Sequence, residues 1–244
     1  MGRAKEIIVK VIPRSIADAF VKKHHYSGKV DTRTQLSFGC FLDGDLHGVM
    51  QLGPSINKNA SINICKNLGW NEFIELARMA FDDYLPKNSE SRCISIMMKM
   101  LKKQAPHLKI VISYADGTQC GDGTIYRASG FKLVDIKKNS SMWKMPDGNV
   151  YCSLIFNPSF SPNSKNSTAE NYGKTGKYAS WSSTRFLKEI GAKPIDGFQL
   201  KYVYFLQESA KDDLTVPILP FSKIDEMGAG MYKGENISLA ERKK

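Results

Sequence analysis

The chain has 244 residues, enough to bury a sizeable core in one large domain or in a domain with an elaborate extension. Lys and Arg number 35 against 24 Asp and Glu, a formal charge of +11, and a field of that sign favours polyanions such as nucleic acid while carrying no sequence readout of its own. Five scattered cysteines (Cys40, Cys65, Cys93, Cys120, Cys152) without a CxxC pair argue against a disulfide scaffold or a zinc module and for a reducing, cytoplasmic setting; no signal peptide precedes the first strand, and no apolar run approaches the ~20 residues of a membrane span.

In chain order, residues 5–12 have the β-branched content of an opening strand stopped by Pro13, and Ser15 is placed to cap a helix over 16–23 with Ile16, Ala19 and Phe20 on one face. That helix delivers His24, His25, Tyr26 and Ser27 ahead of Gly28, a cluster that reads either as cap and surface or as proton-handling material. The loop 29–35 is basic, with Lys29 and Arg33 available to phosphates. Two apolar runs, 36–42 and 46–52, flank Asp43-Gly44-Asp45 and predict a hairpin, whereas 53–69 reads as a turn-rich loop.

The segment 73–131 organises the rest. Residues 73–81 form a compact apolar run carrying Glu75 and Arg78, which suits a buried strand whose charges are either paired internally or offered to a ligand. A turn over 85–92 then starts a helix, with Asn88 or Ser89 expected to cap it. The helix runs to Gln104 with Cys93, Ile94, Met97, Met98 and Leu101 on its core face. Its start, with Lys87, Asn88, Ser89, Ser91 and Arg92, is a candidate phosphate or pyrophosphate site. A β-branched strand over 108–115 ends at Asp116-Gly117, placing Tyr114 and Asp116 where open α/β sheets gather ligands, although Asp116 also suits the cap of the following turn. A short helix over 124–129 carries Tyr126 and stops at Gly130.

Residues 132–136 and 150–156 predict two closing strands bridged by a segment with Trp143, and 157–167 reads as a linker or a mobile loop. From 170 to 205 basic groups (Lys174, Lys177, Arg185) alternate with rings (Tyr172, Tyr178, Trp181), the pattern of a nucleic-acid surface, while 200–206 is a buried strand and 233–244 an exposed tail. The expected division is a body over 1–156 and a basic extension over 157–244.

The order strand, phosphate-facing turn, long helix, strand, then a short helix reading Tyr126-Arg127-Ala128-Ser129-Gly130-Phe131 resembles the second half of the GNAT acyltransferase fold. More narrowly, His25-Tyr26-Ser27-Gly28, Glu75-Leu76-Ala77-Arg78, the 85–91 turn (LPKNSES), Ser113-Tyr114-Ala115-Asp116 and Gly123-Thr124-Ile125-Tyr126 resemble, in that order, the phage Mom family over roughly residues 15–135. The resemblance implies an α/β fold with a mixed, mostly antiparallel splayed sheet flanked by helices. It implies, too, a transferase converting adenine N6 in single-stranded or flipped DNA to the carbamoylmethyl form, an anti-restriction modification. By the same resemblance His25, Tyr26, Arg78, Asp116 and Tyr126 are catalytic and the start of the long helix holds an activated acyl donor such as acetyl-CoA; from their charge and rings, Lys29, Arg33, Lys174, Lys177, Trp181 and Arg185 are the residues expected to meet DNA. Iron is a possible metal and a glycyl group a second donor. The usual GNAT pyrophosphate loop is glycine-rich and 85–92 contains no glycine, a departure that bears on the donor. Two other readings are a GNAT acetyltransferase of proteins or small amines and a DNA-binding protein that keeps the fold without catalysis.

Overall fold

A computed structural model describes residues 3–119, 121–157, 167–232 and 234–237. Cys120, nearly all of the proposed linker and most of the C-terminal tail lie outside the described residues. The elements in order are β1 (Ile8–Val11), α1 (Arg14–His24), β2 (Leu36–Leu42), β3 (Asp45–Gly53), α2 (Lys58–Ile62), β4 (Phe73–Phe81), α3 (Ser89–Gln104), β5 (Ile110–Asp116), α4 (Thr124–Ala128), β6 (Lys132–Lys144) and β7 (Val150–Cys152). They continue with α5 (Ser167–Asn171), α6 (Ser183–Glu189), β8 (Lys193–Phe205), α7 (Ser209–Asp212), α8 (Ser222–Glu226), β9 (Met231–Tyr232) and β10 (Glu235–Asn236). The main sheet has the strand order β1-β2-β3-β4-β5-β8-β6-β7, and its registered pairs are antiparallel except β4 with β5, so the expected mixed, mostly antiparallel sheet flanked by helices is what forms.

Two compact units divide the chain, and they do not follow a single break at 156. Unit 1 takes Met1–Tyr114, Gly123–Asp135 and Lys201–Pro220; unit 2 takes Ala115–Asp122, Ile136–Leu200 and Phe221–Lys244.

In unit 1 the hairpin turn forms as expected. Asp43 (φ 55°) and Gly44 (φ 95°) both take the left-handed conformation that a two-residue turn needs to follow the twist of its strands. β4 forms over Phe73–Phe81 with a bulge against β3, since Gln51 faces Arg78 while Leu52 faces Leu76, leaving Ala77 as the extra residue. Its parallel ladder with β5 runs from Phe73–Ile110 to Leu76–Ser113, and Ser113 Oγ donates to the Leu76 carbonyl at 2.9 Å on the last rung. β4 continues past that rung to Phe81 with no further rung to β5 among the described residues, and the point where the ladder ends is the fork. Below the fork, Phe73, Ile110, Ile112, Val134, Val203 and Phe205 pack as one core.

α3 buries the predicted stripe of Cys93, Ile94, Met97, Met98 and Leu101. Its cap differs from the expectation: Asn88 is left-handed (φ 69°) and its side chain makes no capping bond. Nor does Ser15 cap α1, which starts a residue earlier behind Pro13, whose fixed φ suits a helix entry. α4 ends as the sequence implies. Phe131 N donates to Tyr126 O at 3.0 Å and Gly130 N to Arg127 O at 3.1 Å, with Gly130 at φ 87°, a Schellman stop. The supposed loop 53–69 contains α2, capped by Asn57, whose side chain accepts from Ala60 N.

The strand expected over 132–136 starts in unit 1 and runs on through Trp143, which belongs to unit 2; in unit 2, β7 is only three residues before a 3-10 turn at Ser153–Phe156. Trp143, Met145, Phe156, Ala169, Phe186, Leu187 and Ala192 form its core, with Tyr172, Tyr178 and Trp181 packed around it. Among the described residues no helix is long and apolar enough to cross a membrane.

Candidate functional site

Arg78 sits one residue past the bulge, on the part of β4 beyond the fork. Its Nε donates to the Lys29 carbonyl at 3.0 Å and one terminal nitrogen to the Ala77 carbonyl at 2.7 Å, which ties the loop after α1 to the strand through carbonyls. α1 ends directly before His25, half-buried beside that guanidinium. Burial, and then the Arg78 charge, push the imidazole pKa down to about 4, so the ring is neutral near neutrality. Ser27 N donates to His25 Nδ1 at 3.2 Å, Lys29 N donates to Ser27 Oγ at 3.3 Å, and Ser27 Oγ lies 2.8 Å from Nδ1. With Nδ1 accepting, this network assigns the proton to Nε2 and leaves Nε2–H as the ring's hydrogen-bond donor. The Tyr26 ring lies 4.4 Å from the His25 ring, tilted by 32°, and the residue is 60% exposed.

The sequence placed Arg33 among the phosphate-facing cations, and the structure corrects this. Arg33 Nε donates to Asp31 Oδ1 at 3.0 Å, one terminal nitrogen donates to the Pro54 carbonyl at 2.8 Å, and the other reaches both Asp31 Oδ2 and Glu75 Oε1, the latter at 3.3 Å. Glu75 Oε2 in turn accepts from Ile56 N at 3.0 Å. Asp31 and Glu75 are buried, and the guanidinium holds the Asp31 carboxyl below the usual carboxylate range against the opposing effect of burial. Arg33 is thus a strut beneath the loop, since its donors are spent where a buried carboxylate must be matched. Asp31, missed in the sequence, had a signal in its spacing: Asp31 Oδ1 accepts from Arg33 N at 2.9 Å, an Asx turn. Lys29 remains exposed.

At the start of α3, Ser89 is buried with its hydroxyl donating to the Pro86 carbonyl, and Ser91 Oγ donates to Asn88 O at 3.2 Å. Arg92 donates to the Lys5 carbonyl at 3.2 Å while its Nε is buried without a partner. Ser89 and Arg92 therefore shape the turn, and Lys87 and the backbone amides of the first helical turn are what it offers an anion. Tyr126 packs between Tyr202 (5.1 Å, stacked) and Phe131 (5.3 Å, edge on) and is half-buried. Tyr114 is half-buried, and its phenol is pushed up chiefly by burial.

In unit 2 Asp116 accepts from Thr118 N at 3.0 Å and Gln119 N at 3.3 Å, the turn-capping role named above. Burial nevertheless raises its carboxyl above the ordinary range, toward the working range of a proton acceptor. Lys174 is a second correction: it is buried, and its ammonium donates to the carbonyls of Tyr178 (3.2 Å), Ala179 (3.1 Å) and Trp181 (2.8 Å), which occupy all its protons. It organises the 174–181 loop and does not reach a phosphate. That loop presents exposed Lys177 over the Tyr178 ring at 4.8 Å, and exposed Arg185 of α6 lies over the Trp181 ring at 3.7 Å. Such a stack keeps a guanidinium flat against a ring and open to phosphate.

Among the described residues no three His, Cys, Asp or Glu side chains group as metal ligands, and His25 Nδ1 is already engaged by Ser27, so the residues do not fit a resident iron.

Comparison with known proteins gives 32% identity over 155 residues to the methylcarbamoylase mom of Escherichia phage Mu. That alignment takes in 63% of this chain and 63% of the phage protein, less than two thirds of the relative's length. Among solved structures, an N-acetyltransferase from Staphylococcus aureus aligns with a TM-score of 0.45 at 10% identity over 82% of this chain and 99% of that one. A spermidine/spermine N-acetyltransferase from Vibrio cholerae gives 0.44 at 8% over 86% and 99%. The Mom protein family model matches residues 6–223, which takes in the α1 end, the fork and the aromatic loop alike, and the chain belongs to the Mom protein family.

Proposed function

We propose that the chain is a DNA-modifying transferase that places a carbamoylmethyl group on adenine N6 and so shields DNA from restriction. The observation that carries the reading is the pairing of Arg78 with a neutral, Nε2-protonated His25 beside the fork of β4 and β5, in a chain whose relative is a methylcarbamoylase.

Adenine N6 is a weak nucleophile because its lone pair is delocalised into the ring, so its attack needs an activated donor and a group to take the amine proton. In this reading the fork and the start of α3 take an acyl-type donor of the acyl-CoA kind, with Lys87 and the first-turn amides on its phosphates; Asn88, Ser89, Ser91 and Arg92 set the turn. Bound acyl-CoA supplies an activated carbonyl. His25 Nε2–H and Arg78 are preorganised donors for the negative charge that develops on an attacked carbonyl oxygen. Tyr126 is assigned to the leaving sulfur, and Asp116, with its raised carboxyl, to the amine proton. Tyr26 offers an exposed ring for a base lifted out of its stack, because the amine is otherwise engaged in pairing. Lys29 near this ring and Lys177, Arg185 and Trp181 in unit 2 are assigned to the DNA backbone and to unpaired bases.

Carbamoylmethyl carries a methylene on nitrogen and a terminal amide, so a plain acetyl transfer does not by itself give it. The test is mass spectrometry of nucleosides hydrolysed from the DNA of cells expressing the chain, grown on isotope-labelled acetate or on labelled glycine. The reading expects a carbamoylmethyl deoxyadenosine that is lost in Asp116→Asn, and the label shows which donor feeds it. Unchanged nucleosides with salt-dependent DNA binding would leave a binding protein; acetylated peptides or amines without DNA would indicate an ordinary acetyltransferase.

A further inference from the structure

Outside the site, one cluster of titratable groups, with His47 and Asp82 partly buried and Tyr84, Asp43 and Arg3 exposed, has no role in the chemistry above. Asp82 follows β4, and its carboxylate lies 2.9 Å from His47 Nδ1 through Oδ2 and accepts from Tyr84 N at 3.0 Å through Oδ1. The His47 ring stacks on Tyr84 at 4.2 Å, only 14° from parallel. Tyr84 OH donates to Asp43 Oδ2 at 2.7 Å, and Arg3 donates to both Asp43 oxygens at 2.5 and 2.7 Å. Farther along, Arg92 in the first part of α3 donates to the carbonyl of Lys5, in the same N-terminal 3-10 turn (Arg3–Glu6) as Arg3. The segment from 82 to 92 is therefore held at its start by the β2–β3 hairpin and at its end by the N-terminal turn.

His47 Nε2 is buried with no partner, although the side chain as a whole is only 12% exposed. A buried nitrogen left unmatched costs stability, and a phenyl ring would fill the same stack without that cost. What the imidazole adds is the bond to Asp82.

We propose that His47 and Asp82 are positioning residues for the donor: they fix the 82–92 segment so that the first-turn amides of α3 are preset for a CoA-type phosphate. The inference rests on the reading of that helix start as the donor site. An unpinned segment would sample other placements, and affinity falls by the fraction of time the amides are misaligned.

The experiment measures CoA binding by calorimetry, together with donor KM and kcat, thermal midpoint and DNA affinity, for the wild type, His47→Phe, Asp82→Ala and Asp82→Asn. His47→Phe keeps the stack, removes the orphaned nitrogen and frees Asp82; its thermal midpoint is expected to hold or rise while CoA affinity drops about tenfold, on the scale that a small misplacement costs. Asp82→Ala is expected to show the same loss and Asp82→Asn, whose single oxygen still accepts from Tyr84 N and whose NH2 can donate to His47 Nδ1 in the other imidazole tautomer, to restore most of it, with kcat and DNA affinity little changed. If His47→Phe does not fold, the Asp82 pair decides. Unchanged CoA affinity in both His47→Phe and Asp82→Ala, against a wild type that binds, overturns the positioning role and leaves the donor site standing. A wild type that does not bind CoA overturns both.

Discussion

The two halves of β4 carry one charge each and treat it in opposite ways. In the half paired with β5, Glu75 is buried and closed in by Arg33 and Ile56 N. In the half beyond the fork, Arg78 hydrogen-bonds backbone carbonyls and its charge acts on His25 and Asp31. Where the neighbouring strand is present, burial is complete and a charge must be neutralised; where it departs, a charge can be kept for use. On the proposed function, the end of the ladder separates the structural from the chemical part of a single strand.

This comparison can be broken by substitution. Glu75→Ala removes the partner of Arg33 and the acceptor of Ile56 N, and is expected to lower unfolding stability by about 3 kcal/mol, read by denaturant titration. Arg78→Ala is expected to leave stability within about 1 kcal/mol of wild type and to cut the modification rate about a hundredfold, the usual effect of removing a preorganised donor. A large stability loss there, with activity retained, would erase the contrast.

His25 sharpens it through pH. Its folded pKa of about 4 lies below the 6.5 of a free imidazole, so between those values the unfolded chain binds the extra proton. The histidine's contribution is full above 6.5 and is lost as pH falls toward 4, a drop of about 2 kcal/mol after allowance for its partial exposure. His25→Gln should flatten that part of the stability profile. Arg78→Ala, which removes the neighbouring charge, should flatten it in part. The smallest effect is expected in unit 2, where Arg185→Ala should weaken DNA binding by less than about 1 kcal/mol and reduce the salt slope by about one, without loss of fold.

Much of this was legible in the sequence because it depends on short-range pattern. The β4 run, the Asp43-Gly44 turn, the apolar stripe of α3 and the Gly130 stop follow from periodicity and from left-handed backbone needs. The motifs also pointed to His25 and Arg78. What they did not reveal was which cations are free. Arg33 and Lys174 look like Lys29 and Arg185 in the sequence, yet the first two are consumed by a buried carboxylate pair and by three carbonyls. That choice is made by tertiary neighbours, as is the clasp of His47 on Asp82, residues 35 apart in the chain. Caps failed for a related reason: Ser15 and Asn88 had suitable side chains, but Pro13 and a left-handed Asn88 set those helix starts through the backbone.

The most direct measurement is the nucleoside profile of DNA from cells expressing the wild type and Arg78→Ala, matched for protein level. The account predicts a deoxyadenosine bearing carbamoylmethyl on N6 in the first and its near absence in the second. Unmodified deoxyadenosine in both, or equal modification in both, would contradict it.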